Sequence, residues 1–512
     1  MSRKGFEKVR SGCITCKARK VKCDEARPEC LRCQTGARVC GGYRALPPGS
    51  FSWNSLLHIR PSTIPCSASH SAELRGLDFF RCIVAPALTN PLGNPFWKRS
   101  VCQLAVQEPA TRYAVLAIGS LYEQFDPSSD NLSISDEHRA AVRYYNKALR
   151  EVATSKYLDA DIVLLLSILF TCIEFLRGNA IAAIEHCRHG AHILGSIKQP
   201  SPDTSAIIRH LSIFPFFFGA TLSKFPPLRN PKYPPNHIHD LPRAVETLDC
   251  LMSESVRLVR AFDPYRLGMI DTTEMPSSLI LAQHELCRDL DTWYAGFSTL
   301  VQRIQWNNES RSILRILEMR WNVCTIWVHI ASYQDETVCD TFRGQFESIV
   351  KLAREDATTR SLPKPEKSNL FKFEMGLSPL LHFVLIKCRF LRLRLEALEL
   401  LRTLACARES LWDARWMYAI SRRFIEREHG FEFSPPLASR ELGYENLDCV
   451  VPSDDHRIRD SWLDDETQFY VDCNGARMKR RKIYFYVRDE VPGRVRIVHD
   501  WVYLSENCCN GI

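Results

Sequence analysis

Beyond residue 71, apolar side chains recur at intervals of three and four along most of the chain, the spacing that gathers them on one face of a helix. Residues 72–88 place Leu74, Leu77, Phe80, Ile83 and Val84 on such a face. Residues 109–125 open on Pro109, suited to a first helical turn, and continue with Tyr113, Leu116, Ile118 and Leu121. The same spacing predicts helices over 136–154, 159–176, 180–194, 244–262, 279–301, 313–332, 379–404 and 409–429. The most apolar run, 162–173, is bracketed by Asp159, Asp161 and Glu174 and falls short of the about 20 apolar residues a bilayer crossing needs. It reads as a buried core helix, and no membrane partner is expected. A proline-rich loop interrupts the series at 226–235, and no fixed-period repeat is present.

Both ends break the helical pattern. Residues 45–71 carry Pro47, Pro48, Gly49, Pro61 and Pro65 among serines and form a Pro/Ser linker. Trp53, Leu56, Leu57 and Ile59 are too few for the heptads of a coiled coil, so the linker offers no dimer and the oligomeric state stays open. The apolar surplus of 379–404 (Leu380, Leu381, Val384, Leu385, Leu391, Leu395) suits either a dimer face or a core. Near the C-terminus, 482–487 and 494–503 are rich in β-branched and aromatic residues around Pro492-Gly493, which predicts a hairpin.

Composition adds a second body to this helical one. A chain of 512 residues with 45% hydrophobic content can bury a large core, yet its charge is unevenly placed. Residues 1–44 hold twelve Lys and Arg against four acids, a balance of +8 that equals the net charge of the whole chain. The footprint for a polyanion is therefore confined to the N-terminus. Met1-Ser2-Arg3-Lys4 leads into charged residues, so no secretory leader is expected.

The same N-terminal stretch holds six of the 21 cysteines, at one spacing used twice: Cys13-x2-Cys16-x6-Cys23 and Cys30-x2-Cys33-x6-Cys40. A zinc ion takes four thiolates at about 2.3 Å, and a C-x2-C pair brings two of them to one ion. One zinc held by Cys13, Cys16, Cys30 and Cys33 leaves Cys23 and Cys40 unexplained; two zincs with shared sulfurs use all six. Between Cys16 and Cys23 stand Lys17, Arg19, Lys20 and Lys22, whereas 34–39 offers only Arg38. Such lopsidedness points the first half toward nucleic acid, with Arg10 adding to the same footprint. The other fifteen cysteines are unpatterned, as expected of reduced thiols, and Cys508-Cys509 sits in no acceptor motif. His186, His189 and His192 do not make a ligand ladder and read as helix-surface residues.

The six cysteines, the basic run Lys17-Ala18-Arg19-Lys20-Val21-Lys22 and Pro28 together resemble the fungal binuclear zinc cluster transcription factors. The resemblance implies two Zn2+ ions bridged by Cys13 and Cys30, a loop shaped by Pro28, and Arg19 and Lys20 reading a CGG-like triplet in the major groove of double-stranded DNA. Leu77-Asp78-Phe79-Phe80, Glu108-Pro109, Ala117-Ile118-Gly119 and Cys388-Arg389, among other signposts, resemble the large regulatory domain that follows such clusters. The expected fold is a small binuclear zinc cluster module over 1–44, the linker over 45–71, a mainly α-helical regulatory domain over 72–430, and an acidic segment with a terminal β-hairpin over 431–512. The expected function is a nuclear, zinc-dependent regulator of RNA polymerase II transcription. A zinc-binding scaffold or transcriptional cofactor without promoter specificity is the runner-up, and an enzyme the least supported class. Residues 441–472, with ten acids among Leu447, Trp462, Leu463, Phe469 and Tyr470, suit either a coactivator contact or a charged surface. Lys479-Arg480-Arg481-Lys482 suits either an import signal or a strand flank.

Overall fold

The computed structural model describes residues 12–24, 26, 28–43, 71–89, 96–126, 138–155, 159–228, 238–359, 370–433, 451–471, 475, 477–490 and 493–505. The chain divides into a unit of residues 1–60 with 155–159 and a unit holding the rest. Arg10 and the whole 45–70 stretch lie outside the described residues, as do most of the 226–235 loop and the start of the acidic segment.

In the larger unit local chemistry sets the helix ends. Pro109 opens the helix Pro109–Glu123, and the Asn179, Asp240 and Asn307 side chains accept backbone N–H groups at the starts of Ala180–Ser196, Leu241–Arg266 and Asn308–Ile330. The helix Ala160–Arg177 is buried from Leu164 to Leu176, as its apolar run requires. Helices Pro202–Leu211 and Arg343–Thr359 lie outside the stretches that the apolar spacing predicts. Leu74 and Ile83 are exposed although Phe80 and Val84 are buried, because a π turn at Phe80–Val84 rotates the face that follows.

The apolar stretch 379–404 is two helices, Ser378–Lys387 and Leu391–Leu404; Leu380, Leu381, Val384 and Leu385 sit in the main core with Phe346, Ile349 and Met417, Leu391 packs against it, and Leu395 is half-buried. Most of the face considered for a dimer is therefore core. The break at residues 388–390 turns Arg389 fully inward. Short strands β1 (Phe371–Lys372), β2 (Arg408–Glu409) and β3 (Trp412–Asp413) make a small sheet within the helical region, and the last helix starts only at Ala414, where Asp413 caps it.

Three long antiparallel strands follow: β4 (Ile458–Val471), β5 (Arg477–Arg488) and β6 (Val495–Ser505). The expected hairpin is β5–β6, with Gly493 at φ +78° before β6. The acidic segment proves to be a third strand from Ile458 onward, its Trp462 stacked on Tyr484 at 3.9 Å. One face of the sheet closes on the helix Ala414–His429, where Trp416 and Phe424 share a core with Ile458, Ile483, Phe485 and Val502. The basic run 479–482 lies inside the central strand and does not flank it, with Arg480 over Trp501 at 4.1 Å and Arg481 over Trp416 at 4.7 Å.

Candidate metal centre and nucleic-acid interface

In the smaller unit each C-x2-C pair spans the first turn of a short helix, Ile14–Ala18 or Leu31–Gln34, whose N-cap is itself a cysteine, Cys13 or Cys30. That placement points sulfurs from both helices at one centre. Cys13 Sγ lies 3.6 Å from Cys30 Sγ and 3.8 Å from Cys33 Sγ, and Cys16 Sγ lies 3.7 Å from Cys30 Sγ. Sulfurs placed tetrahedrally at the usual zinc–sulfur distance stand about 3.8 Å apart, so the donor set fits zinc. Two four-sulfur groups, Cys13-Cys16-Cys23-Cys30 and Cys13-Cys30-Cys33-Cys40, each keep their ligand atoms within 4.8 Å of one another, and they share Cys13 and Cys30. Among the described residues these are the groupings of His, Cys, Asp or Glu able to hold a metal.

As free thiols Cys13, Cys16 and Cys30 resist ionising, whereas backbone N–H groups favour the Cys40 thiolate. The Cys16 N–H favours the Cys13 thiolate, but burial and the neighbouring thiols push Cys13 up to about 12, and burial drives Cys30 higher still. A divalent cation reverses that balance by binding the thiolates directly.

The frame around the sulfurs is polar. Asp24 accepts the N–H groups of Ala26 (3.1 Å), Leu31 (3.1 Å) and Arg32 (2.7 Å), which holds the start of the second helix and keeps the Asp24 carboxyl below its ordinary range. Tyr43 donates to the Ala26 carbonyl at 2.7 Å. Thr15 donates to Val39 O at 3.1 Å and accepts from Gly41 N at 2.8 Å, tying the end of the segment back to the first helix. None of these three had a recognisable signal in the sequence, since each bond joins residues with no shared motif.

Both helices end the same way. Lys20 and Ala37 stand at equivalent positions with φ of +55° and +47°, and the residue after each, Val21 or Arg38, donates to the carbonyl of Cys16 or Cys33. A left-handed turn of this kind favours glycine and costs other residues roughly 1–2 kcal/mol. A lysine held there against that cost presents its ammonium just past the helix end. Lys17, Arg19, Lys20 and Lys22 are all exposed, and none forms an ion pair with another described residue. Arg19 leans toward the second half, its Nη1 3.8 Å from where a Cβ on Gly36 would stand. The matching positions of the second half, 34–39, are exposed too but carry one cation, Arg38.

The structure thus brings together all six cysteines and four of the five cations marked in the sequence. The histidine series gathers no ligand partner: His186 Nε2 meets Tyr145 Oη at 2.7 Å, and burial takes the imidazole down to about 4.

Residues 11–48 match the fungal Zn(2)-Cys(6) binuclear cluster domain, a domain that binds two zinc ions. The chain is similar to the aspercryptin biosynthesis cluster-specific transcription regulator atnN of Emericella nidulans, 25% identical over 68% of this chain and 63% of that protein. It is also similar to the Zn(2)-C6 fungal-type transcription factor afumD of Aspergillus fumigatus, 32% identical over 29% of this chain and 40% of that one. Arginine metabolism regulation protein II of Saccharomyces cerevisiae is 34% identical over 14% of this chain and 8% of its own. The matched regions span less than two thirds of these relatives. No solved structure matches.

Proposed function

We propose that this chain, which carries a fungal Zn(2)-Cys(6) binuclear cluster domain at residues 11–48, is a sequence-specific DNA-binding regulator of RNA polymerase II transcription that acts in the nucleus. The observation that carries the reading is a six-sulfur centre flanked on one half only by four exposed cations. The six cysteines would hold two zinc ions, which would supply a rigid core whose remaining formal charge of about −2 the neighbouring cations offset. Cys13 and Cys30, common to both four-sulfur groups, would serve both ions. Lys20, raised past the helix end, and Arg19 read base edges of a CGG-like triplet through guanine O6 and N7, while Lys17, Lys22 and Arg10 contact phosphates. The larger helical unit serves regulation and meets the transcription machinery. The relatives named as transcription regulators support this reading.

Selection of duplexes from a random pool by the zinc-loaded chain, repeated across salt concentrations, tests it. Enrichment of one short GC-rich motif with a steep salt slope is expected. Uniform weak binding without enrichment would instead mark a zinc-held scaffold.

A further inference from the structure

The basic run 479–482 takes no part in the metal centre, and the pleat of β5 divides it between two faces. Ile483, Phe485 and Val487 of β5 are buried against the helix Ala414–His429, so the alternate residues Arg480, Lys482, Tyr484 and Tyr486 point away from that helix. The register extends this outward face over all three strands. Tyr484 stands opposite Trp462 of β4, and Lys482 and Arg480 stand opposite Trp501 and Tyr503 of β6. The solvent face of an antiparallel sheet ordinarily carries polar side chains, whereas this one carries a row of large rings. Trp462 and Tyr503, at its two edges, are 46% and 47% exposed. Trp462 stacks on Tyr484 by one ring face and meets no other ring among the described residues.

Charge narrows the kind of partner. Neither Arg480 nor Lys482 is paired with a carboxylate of another described residue. Arg480 lies over Trp501 at 4.1 Å and donates to Gln468 Oε1 at 3.2 Å, and Lys482 lies over Tyr484 at 5.5 Å. Asp460, the acid paired with Tyr486 at one end of the face, is turned to Arg260 and Arg266 at 3.3 and 3.1 Å. Asp464, Asp465 and Glu466 fall where the β4–β5 pairing slips, along the outer edge of the sheet. Exposed rings interleaved with cations that lack an anion fit an unpaired polynucleotide, whose bases stack while its phosphates meet the cations. A proline-rich peptide would use the rings and leave the charges idle. Of the two nucleic acids, RNA is the one that regularly offers unpaired bases, in loops, bulges and ends.

We propose that the open face of the β4–β5–β6 sheet binds single-stranded RNA, with bases stacked at Trp462 and Tyr503 and phosphates held by Arg480 and Lys482. The acids of the β4 slip repel the strand and mark the border of the site. This face belongs to the larger unit, and the proposal does not rest on the duplex reading of the zinc cluster.

Fluorescence anisotropy of a labelled oligouridylate of about 15 nucleotides, long enough for one such site, tests it on the full zinc-loaded chain with excess unlabelled duplex DNA present to occupy the cluster. The oligouridylate should saturate at one per chain and quench tryptophan fluorescence despite the duplex. Trp462→Ala and Tyr503→Ala should each weaken it by at least about fivefold, and Trp462→Phe, which keeps a ring, should bind nearly as well as the unmodified chain. Lys482→Ala should flatten the salt slope by about 0.7, and Asp465→Asn combined with Glu466→Gln should tighten binding. Zinc content and duplex binding should stay unchanged throughout. No saturable binding, full displacement by the duplex, undiminished affinity in both Trp462→Ala and Lys482→Ala, or tighter binding of the matching oligothymidylate or of oligoproline would overturn the proposal. Should a ring variant lose its helical circular dichroism, the duplex competition on the unmodified chain and the Lys482 salt slope decide.

Discussion

Between residues 12 and 43 the buried side chains are cysteines, and the large apolar residues Ile14, Leu31 and Val39 are 50%, 58% and 88% exposed. The larger unit inverts this arrangement: dozens of aliphatic and aromatic side chains fill its core, and buried within it is a cluster of charges. Lys387 and Arg389 hold Glu336 at 2.8 and 3.2 Å, Arg389 also reaches Glu428 and the Ile458 carbonyl, and Arg266 binds Asp460 at 3.1 Å. One unit substitutes metal–sulfur bonds for an apolar core. The other has apolar burial to spare and uses paired charges to fix which elements meet. A small module and a large one solve the same surface-to-volume problem differently.

Chelation should separate the two units most sharply. Zinc binding in small cysteine modules is worth about 10–16 kcal/mol, so a strong chelator should unfold residues 12–43 and abolish DNA binding. The helical circular dichroism of the larger unit should survive, and two zinc ions per chain should be released; a single released ion would contradict the binuclear centre.

The next largest effect belongs to the charge cluster. Glu336→Gln leaves Lys387, Arg389 and Arg266 without their shared anion and should cost about 3–5 kcal/mol in urea unfolding, with zinc content unchanged. Acid should act on the same place. Burial alone would raise the Glu336 carboxyl, yet Lys387, Arg389 and Arg266 lower it from 4.5 to about 2. Its stabilisation is thus complete above the unfolded value and is lost as pH falls from about 4.5 through about 2. The melting temperature of the larger unit should drop across that window, and the drop should shrink in Glu336→Gln.

Base reading comes third. Lys20→Ala keeps the strained turn and removes the ammonium, so about 1–3 kcal/mol of discrimination at one guanine should vanish. Lys20→Gly removes the ammonium and relieves the turn, so it should lose the same discrimination while binding zinc at least as tightly. Lys17→Ala should weaken all duplexes alike and flatten the salt slope by about one. An unchanged selected motif in both Lys20 variants would remove Lys20 from the readout. The smallest effect is expected of Asp24→Ala, which loses the bonds to Ala26, Leu31 and Arg32 and should weaken zinc retention in a competition assay by about 1 kcal/mol.

The metal centre was legible in the sequence because its ligands obey a local rule: a C-x2-C pair is one helical turn wide, and its duplication shows without the fold. Asp24 was not, since its work is done seven and eight residues away on backbone N–H groups. The helices were legible where their apolar face is continuous, but the break at 388–390 was not. No proline or glycine marks it, and its cause is the ion cluster around Arg389, assembled from residues far apart in the chain. Strand β4 escaped notice because its pairing slips between Leu463 and Thr467, which erases the alternation that a regular strand shows.

The reach of Arg266 has a consequence for how the protein is made. Its guanidinium bonds to Asp460 across 194 residues, and Glu336 receives Arg457 at its carbonyl across 121. While the chain emerges from the ribosome, helix Leu241–Arg266 exists well before Asp460 has been translated, and helix Ser378–Lys387 before the Arg459 carbonyl that Lys387 also binds. Vectorial synthesis therefore passes through a stage in which Arg266 and Lys387 have only part of their final partners in a half-built interior. The last strands act as the latch on that interior, and chaperone dependence should rise steeply in chains whose translation stalls before residue 458.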